Sequence, residues 1–596
     1  MLNVKSRRAL LLGLFLVAGA PVFGLLSCQH AEPPLTEREQ FFSKLEYQPE
    51  PATVTRDSEQ TVAALHPKAR EIGIDALKAG GNAYDAFVAT TFAEYVLSEG
   101  GSSIAGPLGV LAYDAATKKA EYLDADFNTP FDLAGAKYDP QRLGTGALVP
   151  GAPAGLEELA KRGKLGWARL IQPAIDLAQS GFPVSNLFAG ILDSEKERLR
   201  KSEYATRTFF QPDGAPLKAG DRLVQPELAR FLTKLQATDS RYMYEGEWGD
   251  LFLRTVRGAG GILTEADLRS YRARWVEPWK ITYRDYTILS SSGRSYGGPW
   301  SLMVLKTLEQ ANLASMPHPS TSAETLEMMI RVAREVWTTP WLFDCLAISG
   351  SNPACTLDRG SEVQLRLDHD GGQIWSKVTA QMPSIAKYHN RSHSYHVIAA
   401  DRQGNVVSGT HTMEGSVWGD ALFVSGVPLT NAGIVEWGTR PGERRLSPLT
   451  MHFAFRDGRM AFAQGAISNS VLEASVQFLV NLIDYKLPSG EALSRPRFGT
   501  FPTKGDSLDV DWYTNSLSPD ISEDIVRTLR DRKINVRNTG LVETGLGTLL
   551  SFKIGAQNLA EQTVIETVNT PLPYVNDPFG TSSAPPKLRG KAAGAR

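Results

Sequence analysis

The pattern of apolar and polar positions predicts helices and strands that alternate along the chain, with no evident flexible linker near its middle. Residues 68–78 have helical character and stop before Gly80, where glycine readily adopts the left-handed conformation of a helix cap. Asn82 can cap the following helix, whose core-facing stripe comprises Phe87, Val88, Thr91, Tyr95 and Val96. Later strand candidates are residues 110–113, 286–290, 452–455 and 549–552. This mixture predicts one large composite domain of helices and sheets.

The most informative segment is a predicted β-hairpin that begins at Ser394. Its β-branched and apolar residues favour two strands, separated by a Gly-Asn turn. A three-residue loop would place Gly404 at the left-handed position that such loops require. Pairing Asp401 with Asn405 then sets Ser394 opposite Thr412, with both side chains on one face. We therefore predict two hydroxyls in contact, deep inside a long polypeptide.

Residues 1–28 predict a lipoprotein-type signal segment rather than part of the fold. Basic residues precede an apolar run from residue 9 to residue 26, which ends at Ser27-Cys28. Leu25-Leu26-Ser27-Cys28 resembles a bacterial lipobox, in which Cys28 is acylated, and Arg7-Arg8 resembles a weak twin-arginine signal. A simple cleaved signal and an uncleaved membrane anchor are the alternatives. We expect a protein that is lipid-anchored on the periplasmic side of a bacterial cell envelope.

Composition limits the partners of the remaining chain. The 63 basic and 65 acidic residues leave no charge excess that would attract nucleic acid. Residues 29–55 are typical of a spacer, and residues 571–596 are typical of a disordered basic tail. Beyond the leader, no stretch reaches the ~18 continuous apolar residues that a membrane-spanning helix needs. We expect no cofactor and no nucleic-acid partner.

Cys345 and Cys355 are the only cysteines that follow the leader. Two thiols argue against metal binding by thiolates. In an oxidising periplasm, the short loop between them favours a single local disulfide. Two unpaired, buried thiols are the alternative.

Motifs spread over roughly residues 60 to 555 give a specific resemblance to one protein family. Ser394-Tyr395-His396 stands in register with the Thr-Thr-His motif that opens the small subunit of γ-glutamyltranspeptidases. Further matching segments occur upstream in the family's order, among them His66-Pro67, Gly80-Gly81-Asn82-Ala83, Val149-Pro150-Gly151, Gly181-Phe182-Pro183, Gly260-Gly261 and Gly297-Gly298. The resemblance implies the N-terminal-nucleophile hydrolase class and its α+β fold, a four-layer αββα sandwich. It also implies a large-subunit-like region at 56–393 and a small-subunit-like region at 394–570.

The resemblance makes Ser394 the nucleophile, where the family usually has threonine. A serine hydroxyl is a poor nucleophile near neutral pH and needs a base. Autocleavage of the His393-Ser394 bond would release an α-amine with a reference pKa of about 7.7 to 8.0, which can accept the hydroxyl proton. Thr412 would hold Ser394 by a hydrogen bond, and a small-molecule amide would then form an acyl-enzyme. An ordinary surface serine in an uncleaved hairpin is the alternative.

The region that should hold a γ-glutamyl group departs from the family pattern. Asp126 lies where the family has the arginine that binds the substrate carboxylate, so the charge is reversed. At an effective dielectric constant of about 20, like charges ~4 Å apart repel by on the order of 4 kcal/mol. Glu414 replaces an asparagine, Asn431 lies in a segment that replaces an Asn-Asn-Gln-x-Asp-Asp run, and Ser447-Pro448 replaces a serine pair. These substrate-binding candidates predict altered amide specificity.

The oxyanion candidates depart as well, because Ser468-Asn469 replaces the Gly-Gly whose backbone N–H groups stabilise the oxyanion in the family. Backbone donors survive any change of side chain, but non-glycine residues do not reach every glycine torsion. A misplaced donor costs about 2.7 to 4 kcal/mol of transition-state stabilisation. The sequence therefore argues against an efficient glutathione-cleaving site of the usual kind.

Two rival sites involve the same hairpin. The first is a metal site built from His389, His393, His396 and His411. Strand parity argues against it, because His396 and His411 would point to opposite faces. The second is a Ser-His-Asp triad of Ser394, His396 and Asp401, although no Gly-x-Ser-x-Gly elbow surrounds the serine.

Three hypotheses about function follow. The favoured one is an autoprocessed amidohydrolase or acyltransferase that uses Ser394 on a γ-glutamyl or other amide. The second is a catalytically inactive relative that binds a ligand in the old pocket. The third is a tethered scaffold protein of the cell envelope, which only the lipobox and the tail favour.

Overall fold

The computed structural model describes residues 53–134, 138–337, 394–432, 440–467, 470–499, 515–518, 520–532, 534, 536–538, 546–553 and 564–569. The leader, the basic tail and five predicted site residues lie outside the described residues; the five are Cys28, Cys345, Cys355, Ser468 and Asn469. Their predicted roles stay predictions.

The first part of the described chain, up to residue 337, is rich in helices. Its strands are β1 (Thr53–Ser58), β2 (Thr61–Ala63), β3 (Leu108–Asp114), β4 (Lys119–Ala125), β5 (Phe182–Pro183), β6 (Arg222–Leu223), β7 (Arg274–Val276), β8 (Trp279–Tyr283) and β9 (Tyr286–Ser290). Its α-helices are α1 (Pro67–Lys78), α2 (Ala83–Leu97), α3 (Ala152–Ala160), α4 (Trp167–Ser180), α5 (Asn186–Leu199), α6 (Glu203–Phe209), α7 (Pro226–Ala237), α8 (Arg241–Tyr244), α9 (Glu247–Gly258), α10 (Glu265–Ser270), α11 (Gly297–Leu308) and α12 (Ala323–Trp337).

The second part of the described chain, from residue 394 onwards, is richer in strands. Its strands are β10 (Ser394–Ala400), β11 (Val406–Thr412), β12 (Phe423–Val424), β13 (Val427–Pro428), β14 (Met451–Arg456), β15 (Arg459–Ile467), β16 (Phe498–Gly499), β17 (Asn515–Leu517), β18 (Val536–Asn538), β19 (Leu546–Lys553) and β20 (Val564–Asn569). Its α-helices are α13 (Val471–Ile483), α14 (Ser489–Ser494) and α15 (Glu523–Asp531). The predicted α+β composition is confirmed.

Local chemistry explains how α1 and α2 meet. Helix α1 ends at Lys78, and Gly80 adopts a φ of 91°, in the left-handed region that the sequence predicts there. Asn82 Oδ1 then accepts the backbone N–H groups of Tyr84 (3.0 Å) and Asp85 (3.1 Å). Asp85 Oδ2 accepts the Asn82 N–H in return (2.8 Å), which completes a capping box. The predicted turn and cap are therefore confirmed.

Helix α2 differs from its prediction in one respect. The sequence predicts a single core-facing stripe, whereas the whole helix Ala83–Leu97 is buried. The helix packs against α1, α4 and the strands β10 and β11, which cover it from several sides. A helix that is apolar nearly all round is stable only when it is enclosed in this way.

The spacer prediction is wrong at its end. Strand β1 begins at Thr53, inside the segment 29–55 that was expected to be a spacer. The β-branched residues Thr53, Val54 and Thr55 pair with Asn569, Val568 and Thr567 of β20. Sheet formation at this point uses a partner more than five hundred residues away, which local composition does not reveal.

Two large antiparallel sheets organise the described residues. The six-stranded sheet has the order β2-β10-β11-β3-β4-β7, and the seven-stranded sheet has the order β1-β20-β19-β15-β14-β9-β8. Both sheets contain strands that precede residue 394 and strands that follow it. The two segments of the chain are therefore interleaved.

Three large apolar clusters of described residues surround these sheets. The largest joins residues of the six-stranded sheet with helices such as α1, α2 and α4, and the second joins residues of the seven-stranded sheet with α11, α12 and α13. The third contains residues of both sheets, among them Ile398 on β10 and Phe453 on β14. Ser394 and His396 share the parity of Ile398 along β10, so their side chains face the seven-stranded sheet. Among the described residues, no helix is both long enough and apolar enough to cross a membrane.

Candidate active site

The hairpin pairs in the register that its turn residues predict. Asp401 N donates to the Asn405 carbonyl over 3.1 Å, and Gly404 adopts a φ of 86°. Ser394 then lies opposite Thr412. The predicted loop and register are confirmed, and β10 and β11 are adjacent interior strands of the six-stranded sheet.

Ser394 and Thr412 form a buried pair of hydroxyls. Ser394 Oγ donates to Thr412 Oγ1 over 2.8 Å, and the two residues are 7% and 0% exposed. Thr412 Oγ1 also accepts the backbone N–H of Glu414, over 2.9 Å. Because the threonine oxygen is held by a backbone donor, it is a fixed partner for the serine. The predicted contact between the two hydroxyls is confirmed.

His396 shares the face of Ser394 but bonds elsewhere. Its Nδ1 lies 2.7 Å from Thr410 Oγ1, and its Nε2 lies 3.0 Å from Ser408 Oγ. Burial and, to a smaller extent, the neighbouring His452 lower the pKa of His396 to about 3. The ring packs against Gly465 of β15, where an added Cβ would come within 2.1 Å of it. The imidazole is therefore neutral near pH 7, and both its nitrogens lie against hydroxyls of β11.

The geometry excludes the Ser-His-Asp triad. The Asp401 carboxylate accepts hydrogen bonds from the N–H groups of Gln403 (2.9 Å), Asn405 (3.0 Å) and Ala83 (3.0 Å). It therefore closes the hairpin loop and ties it to the start of α2. Ser394 is at the other end of β10, about 20 Å away at ~3.3 Å per residue.

The opposite face of the hairpin carries a second polar cluster, against α2. His411 Nε2 lies 2.7 Å from Glu94 Oε2, and Tyr395 OH donates to Glu99 Oε2 over 2.6 Å. Burial lowers the pKa of His411 to about 3 and raises the pKa of Glu94. These groups lie behind the strand that carries Ser394 and anchor it to the helix.

The two described histidines of the hairpin point apart, as strand parity predicts. His396 faces the seven-stranded sheet, whereas His411 faces α2. His389 and His393 lie outside the described residues. Within the part of the chain that the structure describes, no three His, Cys, Asp or Glu side chains are arranged to hold a metal ion.

Asp126, Glu414 and Ser447, three of the predicted substrate-binding residues, lie together. Burial and, to a smaller extent, the nearby Glu414 raise the pKa of Asp126 to about 8, while the Ser447 hydroxyl and Arg445 oppose the shift. Glu414 forms a buried ion pair with Arg445. Burial also raises the pKa of Glu414, against the effect of that arginine. Glu414 has a φ of 50°, a left-handed conformation that costs a non-glycine residue energy and is common at functional sites.

Arg444 lies beside this cluster and is fully engaged by other groups. Its Nε donates to Asp124 Oδ1 and its Nη2 to the Asp124 carbonyl, both over 3.1 Å, while Nη1 donates to Asn128 Oδ1. Its guanidinium carbon lies 4.4 Å from the centre of the Tyr271 ring. Arg445 N donates to the carbonyl of Phe127 over 2.9 Å, so the two segments run side by side.

Asn431, the fourth predicted substrate-binding residue, is committed to a loop. Its Oδ1 accepts the Ser416 N–H, and its Nδ2 donates to Asp420 Oδ1, both over 2.9 Å. Asp420 in turn contacts the Tyr138 hydroxyl at 3.2 Å. The amide therefore fixes the segment that follows Glu414.

Sequence reasoning missed Arg444 and Arg445. Both side chains are buried, at 2% and 3% exposure. The available signal was two adjacent arginines immediately before Leu446-Ser447, since buried arginines occur almost only with partners. The two arginines bring positive charge to a region where the sequence analysis identifies two acids and no base.

Comparisons with known proteins agree on one family. The sequence model of the family described as Gamma-glutamyltranspeptidase matches residues 69–549. The glutathione hydrolase proenzyme of Bacillus subtilis (strain 168) is 30% identical over 536 residues, which cover 83% of this chain and 88% of that protein. The acylase ACY 1 proenzyme of Pseudomonas sp. (strain SE83) is 28% identical over 485 residues, which cover 74% of this chain and 82% of that protein.

A solved structure shows the same fold. Cephalosporin acylase from Bacillus halodurans aligns with a TM-score of 0.73 at 22% sequence identity. The alignment covers 88% of this chain and 96% of that one.

Proposed function

Because the chain belongs to the γ-glutamyltranspeptidase family of N-terminal-nucleophile hydrolases and transferases, we propose that it is an autoprocessed amidohydrolase or acyltransferase whose nucleophile is Ser394. The observation that carries the proposal is the hydrogen bond of 2.8 Å between Ser394 and Thr412. Ser394 is the first residue of β10, and His396 on the same face of the strand is neutral and forms no triad with it. A serine in these surroundings needs another base.

Cleavage before Ser394 would supply that base. Attack of Ser394 Oγ on the carbonyl carbon of His393 forms an ester while the C–N bond to Ser394 breaks. Water then hydrolyses the ester, which leaves a carboxylate on His393 and a free α-amine on Ser394. This amine has a reference pKa of about 7.7 to 8.0, so much of it is unprotonated in neutral to mildly alkaline solution.

The mature site would turn over an amide in two steps. The α-amine takes the proton of Ser394 Oγ, directly or through water, as the oxygen attacks the substrate carbonyl. The amine of the substrate leaves with a proton, and an acyl-enzyme remains. Water or an acceptor amine then takes the acyl group and restores the hydroxyl.

The names of the relatives support an amide substrate. The two curated relatives are a glutathione hydrolase and an acylase. We take from them the chemistry that they share, the transfer of an acyl group from a small-molecule amide. The transferred acyl group is then either γ-glutamyl or the acyl group of another carboxylic acid, and the residues around Asp126 select between these two classes of substrate.

We further propose the finer architecture and the location of the protein. The three apolar clusters support a four-layer αββα sandwich, because one cluster lies between the sheets and two join sheets to helices. The lipobox-like segment supports a lipid anchor at Cys28 on the periplasmic side of the cell envelope. Mass spectrometry of the mature N-terminal peptide tests the anchor, since an acylated cysteine adds the mass of its fatty acids, and Cys28→Ser should lose it.

Denaturing electrophoresis tests the central proposal. We expect two fragments from the purified protein, with Ser394 as the first residue of the smaller one by N-terminal sequencing. Because strands from both sides of residue 394 share both sheets, the fragments should remain together on native size exclusion.

Variants of Ser394 provide the control. Ser394→Ala should stay intact and inactive, whereas Ser394→Thr, which keeps a hydroxyl, should still be cleaved. A single band in the wild type after long incubation would reject the catalytic proposal and favour the ligand-binding alternative. Fragmentation of Ser394→Ala would assign the cleavage to a contaminating protease.

A further inference from the structure

Beside the hydroxyl pair of Ser394 and Thr412, buried acidic side chains outnumber buried basic ones. The group comprises Asp124, Asp126, Glu414, Arg444 and Arg445. Each of the five is 6% exposed or less. The group therefore contains one more carboxyl than it has guanidinium groups.

Both arginines are already neutralised within the chain. Arg444 pairs with Asp124, over 3.1 Å, and Arg445 pairs with Glu414. Each pair carries no net charge. Asp126 is the remaining acid, and its Oδ1 accepts the N–H of Phe127 over 2.6 Å.

The surroundings of Asp126 offer oxygen atoms to a ligand. Burial, the larger cause, and Glu414 together raise the pKa of Asp126 to about 8, so it is mostly protonated at pH 7. Glu414 Oε1 is buried and has no hydrogen-bond partner among the described residues, and the buried Ser447 hydroxyl lies beside Asp126, whose pKa it lowers. A cation placed here would replace the proton of Asp126 and gain these oxygens as acceptors, whereas an anion would find both arginines of the group already paired with acids.

The cluster is joined to the reacting hydroxyl. Glu414 N donates to Thr412 Oγ1 over 2.9 Å, and Thr412 accepts from Ser394 over 2.8 Å. The side chain of Glu414 therefore starts next to the partner of the nucleophile.

We propose that this cluster selects acyl donors whose acyl group carries a primary ammonium and no carboxylate. The inference rests on the proposed function, because it concerns the acyl group that Ser394 receives. Asp126 is the specificity-determining residue, and Glu414 and Ser447 complete the acceptor set for the ammonium.

Four p-nitroanilides that differ only at the end of the acyl chain test this inference. They are the 4-aminobutyryl, butyryl, glutaryl and γ-glutamyl anilides, which carry an ammonium, no charge, a carboxylate, and both charges. We measure kcat/KM on the mature protein by release of p-nitroaniline, against blanks without enzyme. The 4-aminobutyryl anilide should exceed the glutaryl anilide by at least about tenfold, since its ammonium displaces the proton of Asp126 and pairs with the carboxylate, whereas the glutaryl carboxylate gains no such partner. The γ-glutamyl anilide should lie between them.

Asp126→Asn provides the decisive variant, because it keeps the shape and removes the acid. The ratio of kcat/KM for the 4-aminobutyryl and butyryl anilides should fall to about one, and the ratio is independent of the fraction of folded enzyme. Asp484→Asn is the matched control, since Asp484 is a buried carboxyl that pairs with Arg284 and Tyr283, outside this cluster. It should leave the ratio unchanged.

The outcomes separate the inference from the function on which it rests. A wild-type preference for the glutaryl or γ-glutamyl anilide, or an unchanged ratio in Asp126→Asn, would overturn the inference while the enzyme remains an amidase. Release from none of the four anilides, in a chain that stays uncleaved before Ser394, would reject the proposed function itself.

Discussion

At the scale of single residues, Ser394 is oriented by another hydroxyl. Its Oγ donates to Thr412, while His396 on the same face is neutral and bonded to Thr410 and Ser408. Thr412 is itself fixed by the backbone N–H of Glu414. One threonine oxygen therefore links the proposed nucleophile to the residue that begins the acidic cluster.

Replacing Thr412 by valine tests this link. Valine keeps the branched shape, but it removes the oxygen that accepts the buried N–H of Glu414 and the hydroxyl of Ser394. A buried donor that loses its partner costs about 1–3 kcal/mol, so we expect autocleavage and acylation to slow by on the order of 10- to 100-fold. Thr412→Ser, which keeps the hydroxyl, should retain both rates. Stopped-flow acylation and the half-time of cleavage measure them; wild-type rates in Thr412→Val would contradict the assigned role.

The limits of sequence reasoning at this scale are set by separation along the chain. Asp126, Glu414 and Ser447 were identified one by one, because each departs from a family motif. Arg444 was missed, because its partner Asp124 lies 320 residues away. Ion pairing between distant segments depends on the fold, and no local pattern records it.

At the scale of elements, local rules succeed where the partners are close in sequence. The loop at Gly404 and the parity of the strands were enough to place Ser394 opposite Thr412. The same reasoning gave the cap at Asn82. Local reasoning did not predict that α2 is buried on all sides, and it did not predict strand β1. In both cases elements distant in sequence supply the contacts.

Gly404 should matter to the stability of the hairpin more than to its chemistry. Its φ of 86° disfavours any residue with a Cβ by roughly 1–2 kcal/mol, although asparagine tolerates this region better. We expect Gly404→Ala to lower Tm and Gly404→Asn to lower it less, with kcat retained in both because the loop is at the far end of β10 from Ser394. Calorimetry with parallel activity assays checks this; a higher Tm for the alanine variant would show that the loop does not require the left-handed conformation.

At the scale of the whole molecule, the interleaved sheets explain how a cleaved chain can stay assembled. The six-stranded sheet places β10 and β11 between β2 and β3, and the seven-stranded sheet places β14 beside β9. Scission before residue 394 would leave all these pairings intact. The sequence predicts β3, β9, β10, β11 and β14 individually but not β2, and the order of the strands follows from tertiary packing.

The core of this assembly contains a histidine that makes it sensitive to acid. His452 is fully buried, with Nε2 at 3.1 Å from Ser301 Oγ and Nδ1 at 2.7 Å from Gln464 Nε2, and burial lowers its pKa to about 3. An unfolded histidine binds a proton below about pH 6.5, whereas the folded one does not until about pH 3. Between these values the unfolded state binds more protons, so stability falls as the pH decreases, by up to about 1.4 kcal/mol per pH unit for this group.

His452→Gln removes that contribution and keeps a polar side chain in the core. The Tm of the wild type should therefore fall relative to that of the variant as the pH is lowered from 6.5 to 4, whatever the difference between them at neutral pH. Because the comparison is between slopes, the titration of buried carboxyls, which both proteins share, cancels. His318→Gln, at a half-buried histidine with a pKa lowered by burial, should give a smaller change. Parallel Tm curves for wild type and His452→Gln across this range would mean that His452 carries its proton in the folded core.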